Sequence, residues 1–206
     1  SINFLNDALK TVRDSKLQNE EHPQVVCLSN LGFVYQNMKN YKKAIINYEN
    51  SLLNEDIKKD SPLLYSNVID NLAYCKLQIQ DYRMLPNLFY ESLKIRESLN
   101  NPTSIIISNN HLSEYFLKIN NKTSAYKYSK KALDIAIKSK DPIYYLSALK
   151  QASLVNDDYV SLYTKDYTRI NDSLQVAERN SINRFARLQF ETDEILKEKD
   201  QLVEKN

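Results

Sequence analysis

The chain has 206 residues, and its 28 basic and 26 acidic side chains give a formal net charge of +2. Because neither sign of charge dominates, the composition argues against a nucleic-acid-binding protein. One glycine and five prolines are too few for the tight turns of an all-β protein, and they favour an all-α fold of long helices joined by short turns. No apolar run approaches the roughly 20 residues that a membrane-spanning helix needs.

Four prolines divide the chain into similar units. They fall 39, 40 and 40 residues apart: Pro23, Pro62, Pro102 and Pro142. Three of them follow a residue that caps helices well, namely Ser61, Asn101 and Asp141. Since proline at the first helical position loses no intrahelical hydrogen bond, each proline is predicted to begin a helix. A fixed period of this length indicates stacked helical repeats.

Each unit is predicted to contain a first helix, A, then a tight turn and a second helix, B. The predicted segments in chain order are helix B of a partial N-terminal repeat (1–22), repeat 1 (23–60), repeat 2 (61–100), repeat 3 (101–140), a degenerate repeat 4 (141–171) and a capping or coiled-coil helix (172–206). Because Ser1 falls in the middle of a predicted helix, we expect the sequence to be a piece of a longer protein.

Repeat 1 carries the clearest motif. Its helix A contains Leu28, Leu31, Gly32 and Tyr35, and its helix B contains Ala44, Tyr48, Ser51 and Leu52. This pattern resembles the tetratricopeptide repeat (TPR), W-x-x-L-G-x-x-Y followed by A-x-x-x-F and a small residue. The resemblance implies a right-handed superhelical solenoid of antiparallel helix pairs, here with a long C-terminal helix. Gly32 occupies the glycine position of the repeat, where two helices are expected to cross too closely for a side chain.

An Asn or Asp stands before each predicted helix B, where it would cap that helix: Asn40, Asp81, Asn121 and Asp158. Two features depart from the usual repeat of about 34 residues. The units are longer, so we expect helices that are longer by about one turn. Pro86 falls about one turn inside helix B of repeat 2, so that helix either begins late or kinks there.

The resemblance also implies a concave groove, lined by the A helices, that would hold a protein or an extended peptide. The groove positions carried over from the family are Val26, Ser29, Asn30, Phe33 and Asn37 in repeat 1, Asn67, Asp70, Asn71, Tyr74 and Gln78 in repeat 2, Ile107, Asn110, His111, Glu114 and Lys118 in repeat 3, and Tyr144, Ser147 and Gln151 in repeat 4. We expect Tyr74, Asn30 and Asn71 at the centre of the groove. The two asparagines either form a ladder that holds a peptide backbone or bond to the neighbouring repeat.

One variety of ligand is not expected in this groove. The best-known members of the family grip a C-terminal carboxylate with lysines at the fifth position of helix A. That position holds Ser29, Asp70 and Asn110 in this chain. We therefore expect no carboxylate clamp.

The sequence contains no recognisable catalytic, cofactor or metal site. His22 and His111 lack a Cys or Ser partner at a recognisable spacing, and Cys27 and Cys75 form no metal-binding motif. Phosphate-binding loops and hydrolase motifs are missing from the sequence. We therefore expect a non-catalytic module without cofactor or metal, whose two thiols are free.

Residues 172–206 contain no Gly or Pro and are predicted to form a helix roughly 50 Å long. Asp172 either caps a new helix or continues the preceding one. A series at alternating spacings of three and four gives a weak coiled-coil seam, with apolar Phe185, Leu188, Ile195 and Leu202 and polar Thr192 and Lys199. This helix would either cover the last repeat or pair in a homodimer and relay a signal.

Two stretches near the C-terminus, YTRINDSL (167–174) and RFARLQFETDEI (184–195), resemble the segment that ends the TPR sensor region of bacterial membrane-bound sensor histidine kinases. The resemblance implies a protein- or peptide-sensing input domain of a two-component signalling receptor. It also implies a periplasmic location, with the membrane reached only through a segment absent from this chain. The alternatives are a non-sensory TPR scaffold for protein assembly and a cytoplasmic location.

Overall fold

The computed structural model describes residues 2–14 and 22–204, with side chains described for residues 22–182 and for part of the first helix. Within these residues the chain forms ten α-helices, one 3-10 helix and no β-strand. The fold is therefore all-α, as the composition predicts. No helix in the described part of the chain combines the length and the apolar character needed to cross a bilayer.

The helices follow one another with short connections. In chain order they are α1 (Ile2–Asp14), α2 (Pro23–Asn37), α3 (Tyr41–Ser51), α4 (Ile57–Asp60), α5 (Pro62–Gln78), α6 (Leu85–Ser98), α7 (Pro102–Lys118), α8 (Lys122–Ser139), α9 (Pro142–Val155) and α10 (Val160–Glu204). A 3-10 helix, Asp157–Tyr159, precedes α10. The chain forms two compact units, Ser1–Tyr159 and Val160–Asn206.

The four periodic prolines begin four helices, as predicted. They are the first residues of α2, α5, α7 and α9. Two of the expected caps are present: Asn101 accepts a hydrogen bond from the backbone N–H of Ser104, and Asp141 accepts from the N–H groups of Ile143 and Tyr144. The Ser61 side chain makes no capping hydrogen bond, so α5 begins at its proline without a side-chain cap.

Of the four caps predicted for the B helices, two are present, the one at Asp81 is absent, and Asp158 lies within the 3-10 helix before α10, where its carboxylate accepts from Asn156 Nδ2. Asn40 accepts from the N–H of Lys43 before α3, and Asn121 accepts from the N–H of Ser124 before α8. The capping prediction for Asp81 is wrong, because its carboxylate accepts instead from the backbone and guanidinium N–H groups of Arg83.

Helix α6 begins late, which is one of the two alternatives left open by Pro86. The helix begins at Leu85, so Pro86 lies in its first turn, where a missing N–H costs no intrahelical hydrogen bond. Met84 precedes the helix in a left-handed conformation, with φ of 61°. The chain therefore turns sharply between Asp81 and the start of α6.

The extra length of the repeats takes two forms. Helices α5 and α7 have 17 residues each and α8 has 18. In repeat 1, helix α3 has only 11 residues, and the extra chain forms the short helix α4, whose Ile57 is buried. The sequence pattern did not predict α4, since a helix of four residues is too short to show a periodicity.

The A helices α2, α5, α7 and α9 contact one another in chain order within the first unit. Each of the B helices α3, α6 and α8 contacts the A helix before it and the A helix after it. Contacts between sequence neighbours are typical of stacked helical repeats. The handedness and the superhelical path of the predicted solenoid remain predictions.

Gly32 lies where two helices approach closely, as the repeat motif predicts. It is buried on α2, and a Cβ atom placed there would lie 2.6 Å from the ring of Tyr48 on α3. The Tyr48 ring is fully buried, and its hydroxyl donates to Gln36 Oε1 at 3.0 Å. A side chain at position 32 would therefore force α2 and α3 apart.

The second unit contains the 45-residue helix α10. Of the two alternatives for Asp172, continuation is the one observed, because the helix runs through this residue without a break. The predicted dimer and relay residues Phe185, Leu188, Ile195 and Leu202 lie where only the backbone is described. Their side chains fall outside the described residues, and the pairing prediction stays a prediction.

Candidate functional site

A buried ion pair lies within repeat 2, and its hydrogen bonds connect it to repeat 3. Asp70 on α5 and Arg96 on α6 are 0% and 2% exposed, and their Oδ2 and Nη1 atoms lie 3.2 Å apart. Two charges buried to this degree stabilise a fold only when further hydrogen bonds satisfy their remaining atoms. The surrounding polar side chains supply most of those bonds.

Helix α7 provides much of this polar shell. Ser108 Oγ donates to Asp70 Oδ1 at 3.1 Å. Arg96 Nη1 donates to Ser108 Oγ at 2.6 Å and to the carbonyl oxygen of Ser104 at 3.2 Å. Arg96 Nη2 donates to Asn67 Oδ1 at 2.9 Å, whereas Arg96 Nε is buried without a partner. The network therefore connects three helices through one carboxylate and one guanidinium.

The carboxyl group of Asp70 is held in its charged form. Burial alone would raise its pKa. The charge of Arg96, together with His111 and the hydrogen bond from Ser108, outweighs burial and lowers the pKa of Asp70 from 3.8 to about 2. Asp70 is thus ionised at neutral pH and can only accept hydrogen bonds.

This carboxylate orients His111 on α7. His111 Nδ1 lies 2.7 Å from Asp70 Oδ2, and since the carboxylate only accepts, Nδ1 must carry the hydrogen. The Tyr74 ring stacks on the imidazole, with centroids 4.6 Å apart and an interplanar angle of 29°. The Phe89 ring lies 6.1 Å away in a tilted arrangement. His111 is therefore fixed in tautomer and in orientation.

The imidazole borders a cavity of about 500 Å³ on the A helices, which we call the recess. Residues from α5, α7 and α9 line it: Tyr74, Ile107, Asn110, His111, Glu114, Ser147, Lys150, Gln151 and Leu154. All but Lys150 and Leu154 belong to the groove positions that the sequence predicts. Lys150 and Leu154 lie three and seven residues after Ser147 on α9, a helical spacing that would have identified them.

Hydrogen bonds in and beside the recess engage one N–H donor of each of two amide side chains. Gln78 Nε2 donates to Glu114 Oε1 at 2.7 Å. Asn110 Nδ2 donates to Ser147 Oγ at 3.2 Å, while its buried Oδ1 has no partner. Burial and the nearby Glu114 charge raise the pKa of Tyr74 to about 12, so its hydroxyl stays protonated. The recess is thus lined by an aromatic ring, an imidazole, one carboxylate, neutral polar groups and two apolar side chains, together with the exposed Lys150.

The remaining predicted groove residues lie outside this recess. Asn67 and Asp70 belong to the buried network beneath it. Asn71 forms a side-chain hydrogen bond with Tyr48 of the preceding repeat, which is the second of the two alternatives for the asparagines. Asn30 is exposed and separate from that bond.

The outlying positions occupy α2 and the ends of α7 and α9. Phe33 is half exposed, Asn37 and Lys118 are exposed, Tyr144 is partly buried, and Ser29 donates to the carbonyl oxygen of Val26 at 3.4 Å. The structure brings the predicted residues of α5, α7 and α9 together and leaves those of α2 apart from the recess.

Sequence reasoning missed the Asp70–His111 pair. The two residues are 41 positions apart, close to one repeat period, so that neighbouring A helices place them side by side. Other cross-helix bonds share such separations, including Gln78–Glu114 at 36 and Gln151–Ser113 at 38. A search for polar residues one period apart would have found these contacts.

The described residues contain no group of three or more His, Cys, Asp or Glu side chains arranged as metal ligands would be. Cys27 and Cys75 are free thiols. Burial raises the pKa of the Cys75 thiol to about 12, and its Sγ lies 3.4 Å from Gln36 Oε1, to which it donates. This thiol is therefore a packed, protonated group in the core.

No protein-family model matches the chain, and no curated protein matches it at a significant level. Among solved structures, the crystal structure of BtubC (BKLC) from P. vanneervenii is similar, with a TM-score of 0.67 and 16% sequence identity. The match covers 82% of this chain and 72% of that chain. At this identity the likeness concerns the fold alone, and it agrees with the all-α architecture.

Proposed function

We propose that this chain is a TPR-type repeat protein that binds a partner protein or peptide along the face formed by its A helices. The recess carries the proposal, because α5, α7 and α9 all contribute predicted groove residues to one cavity. An extended peptide or a helix laid across these helices would place one side chain in the recess. The right-handed solenoid is part of this proposal.

The polar groups of the recess favour binding over catalysis. The ordered imidazole of His111 resembles half of a catalytic dyad. Ser147, however, receives its hydrogen bond from Asn110, and no described hydrogen bond joins it to His111. We therefore propose a non-catalytic module in which His111 contacts a ligand.

We further propose that the module is the sensory input portion of a bacterial two-component receptor. The resemblance of residues 167–174 and 184–195 to the end of a sensor region supports this role. The parent protein would then carry the histidine kinase domain, and the module would lie in the periplasm. Binding at the A helices would be relayed through the long helix at the C-terminal end.

The second candidate is a scaffold that assembles proteins without sensing, in the cytoplasm. The reading frame beyond Asn206 distinguishes the two. An apolar stretch of about 20 residues there supports the receptor, because such a stretch can span a bilayer. Further repeats or a stop codon would support the scaffold.

Pairing through α10 tests the relay. We expect the full chain to form a homodimer at high concentration and a double variant with Ile195→Asp and Leu202→Asp to be monomeric, since charges at a coiled-coil seam oppose pairing. Light scattering across a wide concentration range measures the mass. A monomeric full chain at every concentration would contradict the relay by dimerisation, whereas it would leave the peptide-binding face untouched.

A displayed library of linear peptides tests the binding face. Peptides selected on the full chain are titrated against the wild type and Tyr74→Ala by calorimetry. We expect Tyr74→Ala to weaken binding about tenfold, because an aromatic side chain at a binding site commonly contributes 1 kcal/mol or more. Tyr82→Ala, at an exposed tyrosine in the turn before α6, is the matched control and should leave affinity unchanged.

Two results would contradict the proposed binding face. One is a library that yields no binder. The other is a set of binders whose affinity is the same for the wild type and for Tyr74→Ala, with both proteins shown to be folded by circular dichroism.

A further inference from the structure

The orientation of His111 follows from the network beneath it. Asp70 pairs with Arg96, their Oδ2 and Nη1 atoms lying 3.2 Å apart. His111 donates from Nδ1 to Asp70. In the neutral imidazole the other nitrogen, Nε2, then carries a lone pair and acts as an acceptor. Because Nδ1 is occupied beneath the recess, Nε2 is the nitrogen that His111 can present to a ligand.

Glu114 provides a second acceptor one turn further along α7. Its carboxylate borders the same recess, and its described hydrogen bond comes from the neutral amide of Gln78. None of the salt bridges formed by the described residues includes Glu114. The recess therefore contains a partly buried negative charge without a cationic partner among those residues.

Two amides of the recess each commit one of their two N–H donors to a serine. The side-chain amides of Asn110 and Gln151 donate to Ser147 and Ser113. Lys150 also lines the recess, but its side chain is exposed to solvent, which screens its charge. The acceptors of the recess are thus the Glu114 carboxylate and His111 Nε2, with the buried and partnerless Oδ1 of Asn110 near them, and the hydroxyls of Tyr74 and Ser147 can act as donors.

We propose that the recess is a subsite for a cationic N–H donor, the guanidinium or ammonium group of an arginine or lysine in the bound partner. This proposal rests on the peptide-binding function proposed above. The cation donates to the Glu114 carboxylate and to His111 Nε2, beside the ring of Tyr74. Charge complementarity with Glu114 selects a cation over a neutral group of the same shape.

Small probes test this subsite without a known ligand. The probes are Nα-acetyl-arginine amide, Nα-acetyl-lysine amide and Nα-acetyl-citrulline amide, titrated into the full chain and followed by NMR. Citrulline has nearly the shape of arginine but carries no charge. We expect the arginine or the lysine probe to bind at least about tenfold more tightly than citrulline, because hydrogen bonds to charged groups are worth more than neutral ones. The comparison of arginine with lysine identifies which cation the site prefers.

Substitution of Glu114 tests the residue assigned to the charge. Glu114→Gln keeps the shape and the hydrogen bond with Gln78, and we expect it to weaken the cationic probes about tenfold with little effect on citrulline. Glu55→Gln, in an exposed loop before α4, is the matched control and should leave all affinities unchanged. His111→Gln removes the oriented acceptor and should also weaken cation binding.

The outcomes separate this subsite from the proposed function. Equal binding of citrulline and arginine, an unchanged affinity in Glu114→Gln, or no response to either cationic probe would overturn the subsite. In a further outcome, the selected peptides contain no cation, bind in a way that depends on Tyr74 and have the same affinity for Glu114→Gln as for the wild type. That result would support the function while overturning the subsite. Conversely, Glu114-dependent binding of the arginine probe without any selected peptide would support the subsite and contradict peptide binding.

Discussion

The junction between repeats 1 and 2 and the junction between repeats 2 and 3 use different chemistry at corresponding places. At the first junction, the buried Tyr48 packs with Val68, Leu72 and Cys75, and its polar contacts are neutral hydrogen bonds. At the second, an apolar cluster that contains Phe89 is accompanied by the buried ion pair of Asp70 and Arg96. Tyr48 and Phe89 occupy the same position of helix B in the repeat alignment.

The difference lies close to the recess. At the first junction, packing and neutral hydrogen bonds surround Tyr48, and the ion pairs that cross it, Glu49–Lys76 and Lys58–Glu91, are partly exposed rather than buried. At the second, the ion pair also holds the His111 imidazole in one tautomer. A buried charge network is weak support for stability by itself, and its better-attested role is to specify one arrangement. Here that arrangement is the one that presents His111 to the recess.

The largest expected effect comes from breaking the charged junction. Arg96→Met removes the cationic partner of a fully buried carboxylate, and we expect the free energy of unfolding to fall by about 3–5 kcal/mol. Urea denaturation at neutral pH measures this change. The double variant Asp70→Asn with Arg96→Met leaves no unpaired charge and should recover part of the loss. A cost near zero for Arg96→Met would show that the pair does not hold the junction.

The second effect comes from overpacking in repeat 1. Gly32→Leu places a side chain against the Tyr48 ring, 2.6 Å from the position of the new Cβ atom. Overpacking of this kind costs about 1–3 kcal/mol, so the melting temperature should drop clearly. Gly32→Ala should cost less, since the ring needs to move less. An unchanged melting temperature for Gly32→Leu would contradict the close helix contact.

The third effect is a loss of folding stability at low pH. Because the pKa of Asp70 in the folded protein, about 2, lies below its ordinary 3.8, its contribution to stability is complete above pH 4 and is lost as the pH falls towards 2. The contribution is about 2 kcal/mol. Urea denaturation of wild type and Asp70→Asn from pH 6 to pH 2 measures it. The difference between the two curves should shrink below pH 4, and a constant difference would contradict the lowered pKa.

The smallest effect distinguishes a helix cap from a residue that resembles one. Asn121→Ala removes the side chain that accepts from the Ser124 N–H and should cost about 1 kcal/mol. Asp81→Ala should leave the melting temperature nearly unchanged, because its carboxylate bonds to Arg83 and caps no helix. Equal losses in the two variants would contradict the late start of α6.

Local signals predicted much of the fold. The period of the prolines placed the starts of four helices, because proline fits the first turn whatever the tertiary context. The glycine motif placed the contact between Gly32 and Tyr48, since only a residue without Cβ allows it. The cap predicted at Asp81 is absent because Pro86 and the left-handed Met84 move the start of α6 downstream. Asp81 and Pro86 are two competing signals for the start of this helix, and the sequence pattern alone does not show which of them determines it.

The candidate site was predicted only in outline. Carrying the groove positions over from the family selected Tyr74, His111 and Glu114, which the structure places in one recess. Asp70 was selected for the same groove but is buried, because Arg96 on another helix compensates its charge. Arg96 follows no groove pattern, since it belongs to a B helix. A contact between helices depends on rotation and spacing, which one sequence does not reveal.

The two histidines of the chain allow a direct test of the central claim, which is that an oriented His111 in the recess meets the partner. In His111, Nδ1 donates to Asp70. In His22 the roles are reversed: the Asn54 amide nitrogen lies 3.0 Å from Nδ1, and Nε2 lies 3.3 Å from Asp60 Oδ2. The two neutral rings should therefore have opposite tautomers, and His22 serves as an internal reference.

The measurement is long-range ¹H–¹⁵N NMR of the full chain labelled with ¹⁵N-histidine, at a pH where both imidazoles are neutral, before and after saturation with a selected peptide. We expect His111 to carry its hydrogen on Nδ1, its Nε2 resonance to shift on binding, and the His22 resonances to stay in place. A neutral His111 ring with its hydrogen on Nε2 would contradict the claim. So would a His111 Nε2 chemical shift that is unchanged at saturating peptide.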